Sequence, residues 1–168
     1  MPMRGGMHTW TSALVRPRLQ GSYIGVSSRG NFYMTWRPGQ TYWQPHNRPS
    51  TRRIQAMGFC PNGNMWLTTR AGDVYLAADQ GVECERFAQS KIGSRGFGVL
   101  DLGFVDDRRG YAVGGGGSLF KTEDAGRTWK RDRSTDDIPA NLYEVKFVRP
   151  NLSFVLGNDG VLLRTSTA

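Results

Sequence analysis

Four segments of the chain superimpose on one another: YIGVSSRGNFYMT, MWLTTRAGDVYLA, GYAVGGGGSLFKT and SFVLGNDGVLLRT. Each reads as a short apolar strand, a turn ending in glycine, and a second apolar strand. The aligned glycines, Gly30, Gly72, Gly117 and Gly160, are 42, 45 and 43 residues apart. Three residues beyond each glycine stands a large apolar side chain: Tyr33, Tyr75, Phe120 and Leu163. A further column supports the register. Phe59, Phe104 and Phe147 close the runs IQAMGF, VLDLGF and LYEVKF, and each lies seven residues before Trp66, Tyr111 or Phe154. The first repeat has Pro17 at that place.

A fourth column sits after each repeated pair of strands. TEDAGRTWK fits the Asp-box pattern Ser/Thr-x-Asp-x-Gly-x-Thr-Trp, with Thr122, Asp124, Gly126, Thr128 and Trp129 in their places. TWRPGQTYW is a degraded copy that keeps Thr35, Gly39 and Thr41 but has Arg37 where the aspartate belongs. AADQGVEC keeps Asp79 and Gly81. The chemistry is that of a tight turn: the aspartate caps backbone N–H groups, the glycine takes positive φ, and the aromatic packs over the hairpin. The box is structural and carries no catalysis.

No stretch shows a 3.6-residue apolar period, and 22 glycines favour short strands and tight turns. A period of 40 to 45 residues with four strands per unit is the signature of a β-propeller blade. One blade cannot bury both of its faces, so blades pack side by side around an axis. The expected fold is all-β: a partial β-propeller of about four blades with Asp-box, or BNR-like, repeats. Residues 1–20 read as an irregular N-terminal segment, and blades are expected at about 21–53, 54–98, 99–141 and 142–168. Inner strands are predicted at 54–59, 99–104 and 142–147, and second strands at 65–69, 110–114 and 153–157. Third strands are predicted at 73–78, 117–122 and 161–165, and outer strands near 83–88 and 127–131. The last unit ends at Ala168 after its third strand, so the chain reads as the C-terminal portion of a larger ring, with a closed four-blade ring as the alternative.

Charge is distributed unevenly. The net charge is +8, yet Met1 to Gly72 holds nine arginines, no lysine and no acidic residue. Asp73 is the first carboxylate, and beyond Gly72 thirteen Lys/Arg face fourteen Asp/Glu. Clustered arginine without lysine suits planar, bidentate grip on carboxylates or phosphates. Successive strands of a blade alternate in direction, so second-to-third turns emerge at the same end as blade-to-blade links. That places Arg29 and Arg70, in such turns, on one face with His46, Arg48, Arg52, Arg53, Lys91 and Arg95, in the links. The Asp-box turns, with Arg108 and Arg109, belong at the opposite end. Arg131 and Arg133 share their link with Asp132, Asp136 and Asp137 and read as self-neutralised.

Several function classes are disfavoured. No apolar run approaches the roughly 18 residues that a membrane-spanning helix needs. His8 and His46 are too few for a metal site, and solvated histidines are expected. Cys60 and Cys84 belong to an inner and an outer strand of one blade, three strand spacings apart, beyond disulfide reach; two free thiols are expected. The four glycines at 114–117 lack the lysine and helix of a phosphate loop and read as a turn. A sialidase-like glycan-binding propeller also uses Asp boxes and carboxylate-gripping arginines, but glycoside cleavage needs a Tyr and acid set that the arginine face does not offer. Nucleic acid binding would draw on Trp36, Tyr42 and Trp43 for stacking, and at least some of these occupy Asp-box positions that pack inside.

The strings SSRGNFYMTWRPGQTYWQPHNRPSTRRIQAMGF, GVLDLGF, IPANLYEVKF and FVLGNDGVLLR resemble the lumenal photosystem II stability/assembly factor family of cyanobacteria and chloroplasts. The resemblance runs from about Gly21 to Arg164. It implies the C-terminal part of a seven-bladed Asp-box propeller, a non-enzymatic binding protein of the thylakoid lumen that docks photosystem II reaction-centre core proteins. It implies no cofactor, no nucleic acid partner and only peripheral association with the membrane, through protein partners. The family's arginine-rich patch falls here on Arg29, Arg48, Arg52, Arg53 and Arg70. About three upstream blades and the targeting sequence of the family are missing from the chain. A reduced descendant, permanently retained as a lumenal subunit of a photosynthetic complex, is the alternative.

Overall fold

The computed structural model describes residues 21–26, 33–47, 50–77, 88–93 and 98–165. These residues form fourteen strands in four antiparallel sheets, with no helix among them. The first sheet holds β1 (Tyr23–Val26), β2 (Tyr33–Trp36) and β3 (Gln44–His46). The second holds β4 (Ile54–Phe59), β5 (Met65–Thr69), β6 (Asp73–Ala77) and β7 (Ala88–Lys91). The third holds β8 (Val99–Phe104), β9 (Gly110–Gly114), β10 (Leu119–Thr122) and β11 (Lys130–Asp132). The fourth holds β12 (Leu142–Arg149), β13 (Leu152–Gly157) and β14 (Leu162–Thr165). Every sheet is a meander in which each strand pairs with the next, as short glycine turns dictate.

The core lies between sheets. Ile24, Val26 and Tyr33 pack on Met65, Leu67, Tyr75 and Ala77, joining the first sheet to the second. Trp66 and Val74 meet Leu102, Phe104, Ala112 and Phe120, joining the second to the third. Val113 meets Leu142, Val145 and Val155, joining the third to the fourth. All five residues of β5 are buried, because both faces of that strand are covered by neighbouring sheets. On β1 and β13 buried residues alternate with half-buried ones, and Leu156 on β13 is exposed. This contrast marks the first and last sheets as the ends of a stack.

Inner and second strands stand close to their expected places, while the outer strand of the third sheet begins later. It is β11 at Lys130–Asp132, after the Asp-box tryptophan and not through it. The outer strand expected near 83–88 lies outside the described residues but for Ala88, where β7 (Ala88–Lys91) is described. The third strand of the third sheet starts at Leu119, because Gly114–Ser118 closes the turn, with Gly116 and Gly117 at positive φ. A Cβ on Gly117 would lie 2.5 Å from the Ile138 carbonyl oxygen. The four-glycine run is thus a turn pressed against the next link, as its composition suggested.

Two features were not legible. Each inner strand carries a register shift at the same repeat position: Ile54/Ala56, Val99/Asp101 and Leu142/Glu144. A bulge there adds local twist to every inner strand. Tyr33 also departs from its sequence column. It pairs with Val26, as Val74 pairs with Thr68 and Leu119 with Val113. One extra residue in the β1–β2 turn therefore moves Tyr33 to the opposite face from Tyr75 and Phe120.

Candidate functional site

The cationic end of the molecule is built at one edge of the second sheet. Ile54 pairs with Thr69, so Arg52 and Arg53 enter the ladder beside Arg70, which leaves it. Asp73 pairs with Lys91, bringing the end of β7 to the same edge. The turn carrying Arg70 is held by backbone bonds. Gly72 N–H donates to Thr69 O at 3.0 Å, Ile92 N–H to Gly72 O at 2.7 Å, and Val99 N–H to Arg70 O at 3.1 Å. Gly98, at φ +84°, sits against the Arg70 carbonyl so closely that a Cβ would overlap it. Arg70 therefore projects from a turn fastened to the link between the second and third sheets.

The side chains of Arg52, Arg53, Arg70 and Lys91 reach solvent, while Asp73 beneath them is buried. Thr69 Oγ1 donates to Asp73 Oδ2 at 2.8 Å, and Asp73 N–H donates to Thr69 Oγ1 at 3.2 Å. Arg52 Nε lies 3.8 Å from Asp73 Oδ2, and Lys91 Nζ lies 3.8 Å from Asp73 Oδ1. Sequence reasoning treated the patch as lacking a neutralising acid. The first carboxylate of the chain folds back among the cations and compensates part of their charge. The signal was Thr69-x-x-x-Asp73, which encloses the turn. Arg52 and Lys91 keep most of their side-chain surface in solvent and stand 3.8 Å from the carboxylate, so neither is locked to Asp73 and both can meet an incoming anion.

Arg29 and Arg48 lie outside the described residues, as do Arg95 and Cys84. His46, expected to be solvated, is instead half-buried at the end of β3. Its Nε2 is 2.7 Å from Thr35 Oγ1, and its ring meets Tyr33 edge-on at 5.9 Å. Tyr42 is exposed, whereas Trp36 and Trp43 are half-buried. Cys60 is a buried free thiol pushed up to about 12, mainly by desolvation and further by the Asp107 charge. Arg131 donates to Asp136 Oδ1 at 3.0 Å and 2.6 Å, the self-neutralised pair that was anticipated.

At the opposite end the Asp box is assembled as its residues predict. Asp124 Oδ1 accepts from Thr128 N–H at 2.9 Å and from Thr122 Oγ1 at 2.8 Å, and Asp124 Oδ2 accepts from Thr128 Oγ1 at 2.6 Å. These bonds, those from Thr128 first, hold the Asp124 carboxyl down at about 2. Ala125 N–H donates to Arg108 O at 2.8 Å, which puts the box beside the β8–β9 turn. The box also reaches another sheet: Ser90 Oγ of β7 donates to Gly126 O, and Trp129 Nε1 donates to Gly126 O at 3.1 Å. It therefore fastens the second sheet's outer strand to the third sheet, a role that no local motif announces. Among the described residues no His/Cys/Asp/Glu group could hold a metal ion, and no helix is long and apolar enough to cross a membrane.

Stacked antiparallel meanders, joined by inter-sheet cores and closed by an Asp box, define a β-propeller of the Asp-box type. The sequence profile described as Photosynthesis system II assembly factor YCF48 matches residues 11–166, and the chain belongs to that family. It is 50% identical over 157 residues to the chloroplastic photosystem II stability/assembly factor HCF136 of Arabidopsis thaliana, covering 94% of this chain and 39% of the relative. It is 46% identical over 146 residues to the photosystem II assembly lipoprotein Ycf48 of Synechocystis, covering 86% of this chain and 42% of the relative. A solved structure described as YCF48 bound to D1 peptide superimposes with a TM-score of 0.77 at 38% identity, over 92% of this chain and 50% of that one. YCF48 from Cyanidioschyzon merolae gives 0.74 at 39% identity, over 94% and 51%. A computationally designed protein, Ika4, shares the fold at 13% identity with a TM-score of 0.68, over 94% of this chain and 93% of that one. The chain thus spans about two fifths of the length of these two curated relatives. The relatives are named as assembly factors, not enzymes.

Proposed function

We propose that this chain is a non-enzymatic photosystem II assembly module of the thylakoid lumen that docks reaction-centre core proteins through its arginine face. The observation that carries this reading is the edge of the second sheet, where strand register brings Arg52, Arg53, Arg70 and Lys91 together and Arg52 and Lys91 flank the buried carboxylate of Asp73. Rigid strands hold these cations in shape, which limits the ordering cost of binding. An acidic or carboxylate-bearing segment would be drawn in by the field and gripped by guanidinium forks. A relative solved with a D1 peptide supports a reaction-centre partner.

The test is binding of the Arg52→Glu/Arg53→Glu/Arg70→Glu chain to isolated reaction-centre complexes and to a D1 peptide. Reversing three charges is expected to lower affinity by at least tenfold, while wild-type binding weakens with salt and survives competition by polynucleotide. Unchanged binding by the folded variant would remove this face from the reading. Loss of wild-type binding to polynucleotide competitor would point to nucleic acid instead.

A further inference from the structure

The carboxylate of Asp73 has no counterpart at the same turn of the third and fourth sheets. One residue beyond the aligned glycines Gly72, Gly117 and Gly160 stand Asp73, Ser118 and Val161, and the strands before these turns end in Thr69, Gly114 and Gly157. In the third and fourth sheets the turn closes through backbone bonds: Gly114 N–H donates to Ser118 O and Gly157 N–H to Val161 O, at 2.9 Å each. The second sheet adds a side-chain pair, Thr69 Oγ1 to Asp73 Oδ2 at 2.8 Å, and buries both residues. An acid is thus no requirement of this turn, and the one present stands where the cations of the chain collect.

One cation flanks each oxygen of that carboxylate, Arg52 at Oδ2 and Lys91 at Oδ1. The Asp73 side chain is 9% exposed, against 63% for Arg52 and 65% for Lys91, so the acid lies behind and the cations in front. The root of Arg52 is fixed, since its N–H donates to Oγ of the buried Ser50 at 3.0 Å. The backbone of Lys91 is set by its pairing with Asp73 in the β6–β7 ladder. Both faces of this sheet are covered by other sheets of the same chain. Two cations and one acid leave the trio one negative charge short of neutrality, which is the charge of a single carboxylate. An anion approaching the edge meets the attraction of Arg52 and Lys91 and, behind them, the repulsion of Asp73. Both scale with the ligand's charge, so the acid narrows the advantage that a doubly charged phosphate would otherwise hold over a carboxylate.

Resting on the reading of this edge as a docking face, we propose that Asp73 is its specificity-determining residue: a built-in anion that tunes the edge to the singly charged carboxylates of an acidic segment and against phosphate-bearing ligands. A carboxylate seated across Arg52 and Lys91, opposite Asp73, completes an alternation of charge and neutralises the trio. A phosphate in that place leaves excess negative charge facing the buried acid. Discrimination by a repulsive element weakens the favoured ligand somewhat while it weakens the competitor more.

Fluorescence anisotropy at low salt reads the binding of two labelled peptides, identical except that the glutamates of one are phosphoserines in the other. The proteins are wild type, Asp73→Asn and Glu123→Gln. Asparagine keeps an oxygen for Thr69 Oγ1, and Glu123, exposed in the Asp box at the opposite end, gives the same change of net charge away from the edge. Asp73→Asn is expected to tighten the phosphoserine peptide by at least about tenfold and the glutamate peptide by about threefold, while Glu123→Gln moves neither by more than about twofold. An unchanged ratio of the two affinities in Asp73→Asn, or an equal shift of that ratio in Glu123→Gln, would overturn the proposal. If Asp73→Asn loses its sheet circular dichroism, Asp73→Ser, which copies the third sheet, takes its place. The docking reading fails on a different result: Arg52→Glu/Arg53→Glu/Arg70→Glu binding the glutamate peptide as wild type does. Wild type that binds neither peptide would overturn both.

Discussion

Asp101 stands in the inner strand of the third sheet, and its Oδ2 accepts the Val145 N–H of the fourth at 3.0 Å. Burial pushes its carboxyl up from 3.8 to about 6, against the lowering effect of N–H donation from Val145 and Leu102. The nearby Glu144 charge raises it further, and Lys146 offsets part of that. The native state thus holds this proton more tightly than the unfolded chain does. The stabilisation is complete below about 3.8 and is lost as pH rises through about 6. At about 1.4 kcal/mol per unit, a shift of about two units sets an upper bound of about 3 kcal/mol, and relaxation around the site brings the expected value to about 1–2 kcal/mol. Asp101→Asn removes the charge and keeps an oxygen for the Val145 N–H. It is expected to stabilise the chain by about 1–2 kcal/mol at pH 8 and to have little effect at pH 4. Urea unfolding of both chains from pH 4 to 8, with the slope m held as a check on the end states, gives the two profiles. Parallel profiles, or a variant less stable than wild type at pH 8, would refute the account of Asp101 as a buried, destabilising charge.

Trp129→Ala removes the ring that meets Phe104 at 6.2 Å and the donor to Gly126 O; thermal unfolding should register a loss of about 2–4 kcal/mol. Gly98→Ala forces a Cβ onto the Arg70 carbonyl at φ +84°, and is expected to cost about 2 kcal/mol or more in urea unfolding and to weaken partner binding by displacing the Arg70 turn. The Cys60 thiol, pushed up to about 12, should resist iodoacetamide at pH 8 in the folded chain and react on unfolding, which peptide mass spectrometry would show.

The repeat, the strand pairs and the Asp box were legible because they rest on local information. Alternating apolar residues, a glycine able to take positive φ, and an aspartate four residues before Thr128 act within one hairpin. Their outcome does not depend on the neighbouring sheet. The inner-strand bulges and the later outer strand of the third sheet were not legible, since register is settled by packing after the turn has formed. Tyr33 shows the limit: sequence alignment to Gly30 gave it a column, and one residue of turn length gave it the other face.

For the candidate site, sequence by itself determined that nine arginines and no acid precede Asp73, and it led to the expectation that alternating strands carry several of them to one end. Only the tertiary structure decided that Asp73 lies under Arg52 and Lys91, that Asp101 answers a backbone N–H 44 residues away, and that Ser90 is tied to the next sheet's Asp box. It likewise decided that Leu156 is exposed where Val113 is buried. The physical reason is common to all four. Burial and charge pairing belong to the space between sheets, and that space is defined by two segments the sequence does not bring together.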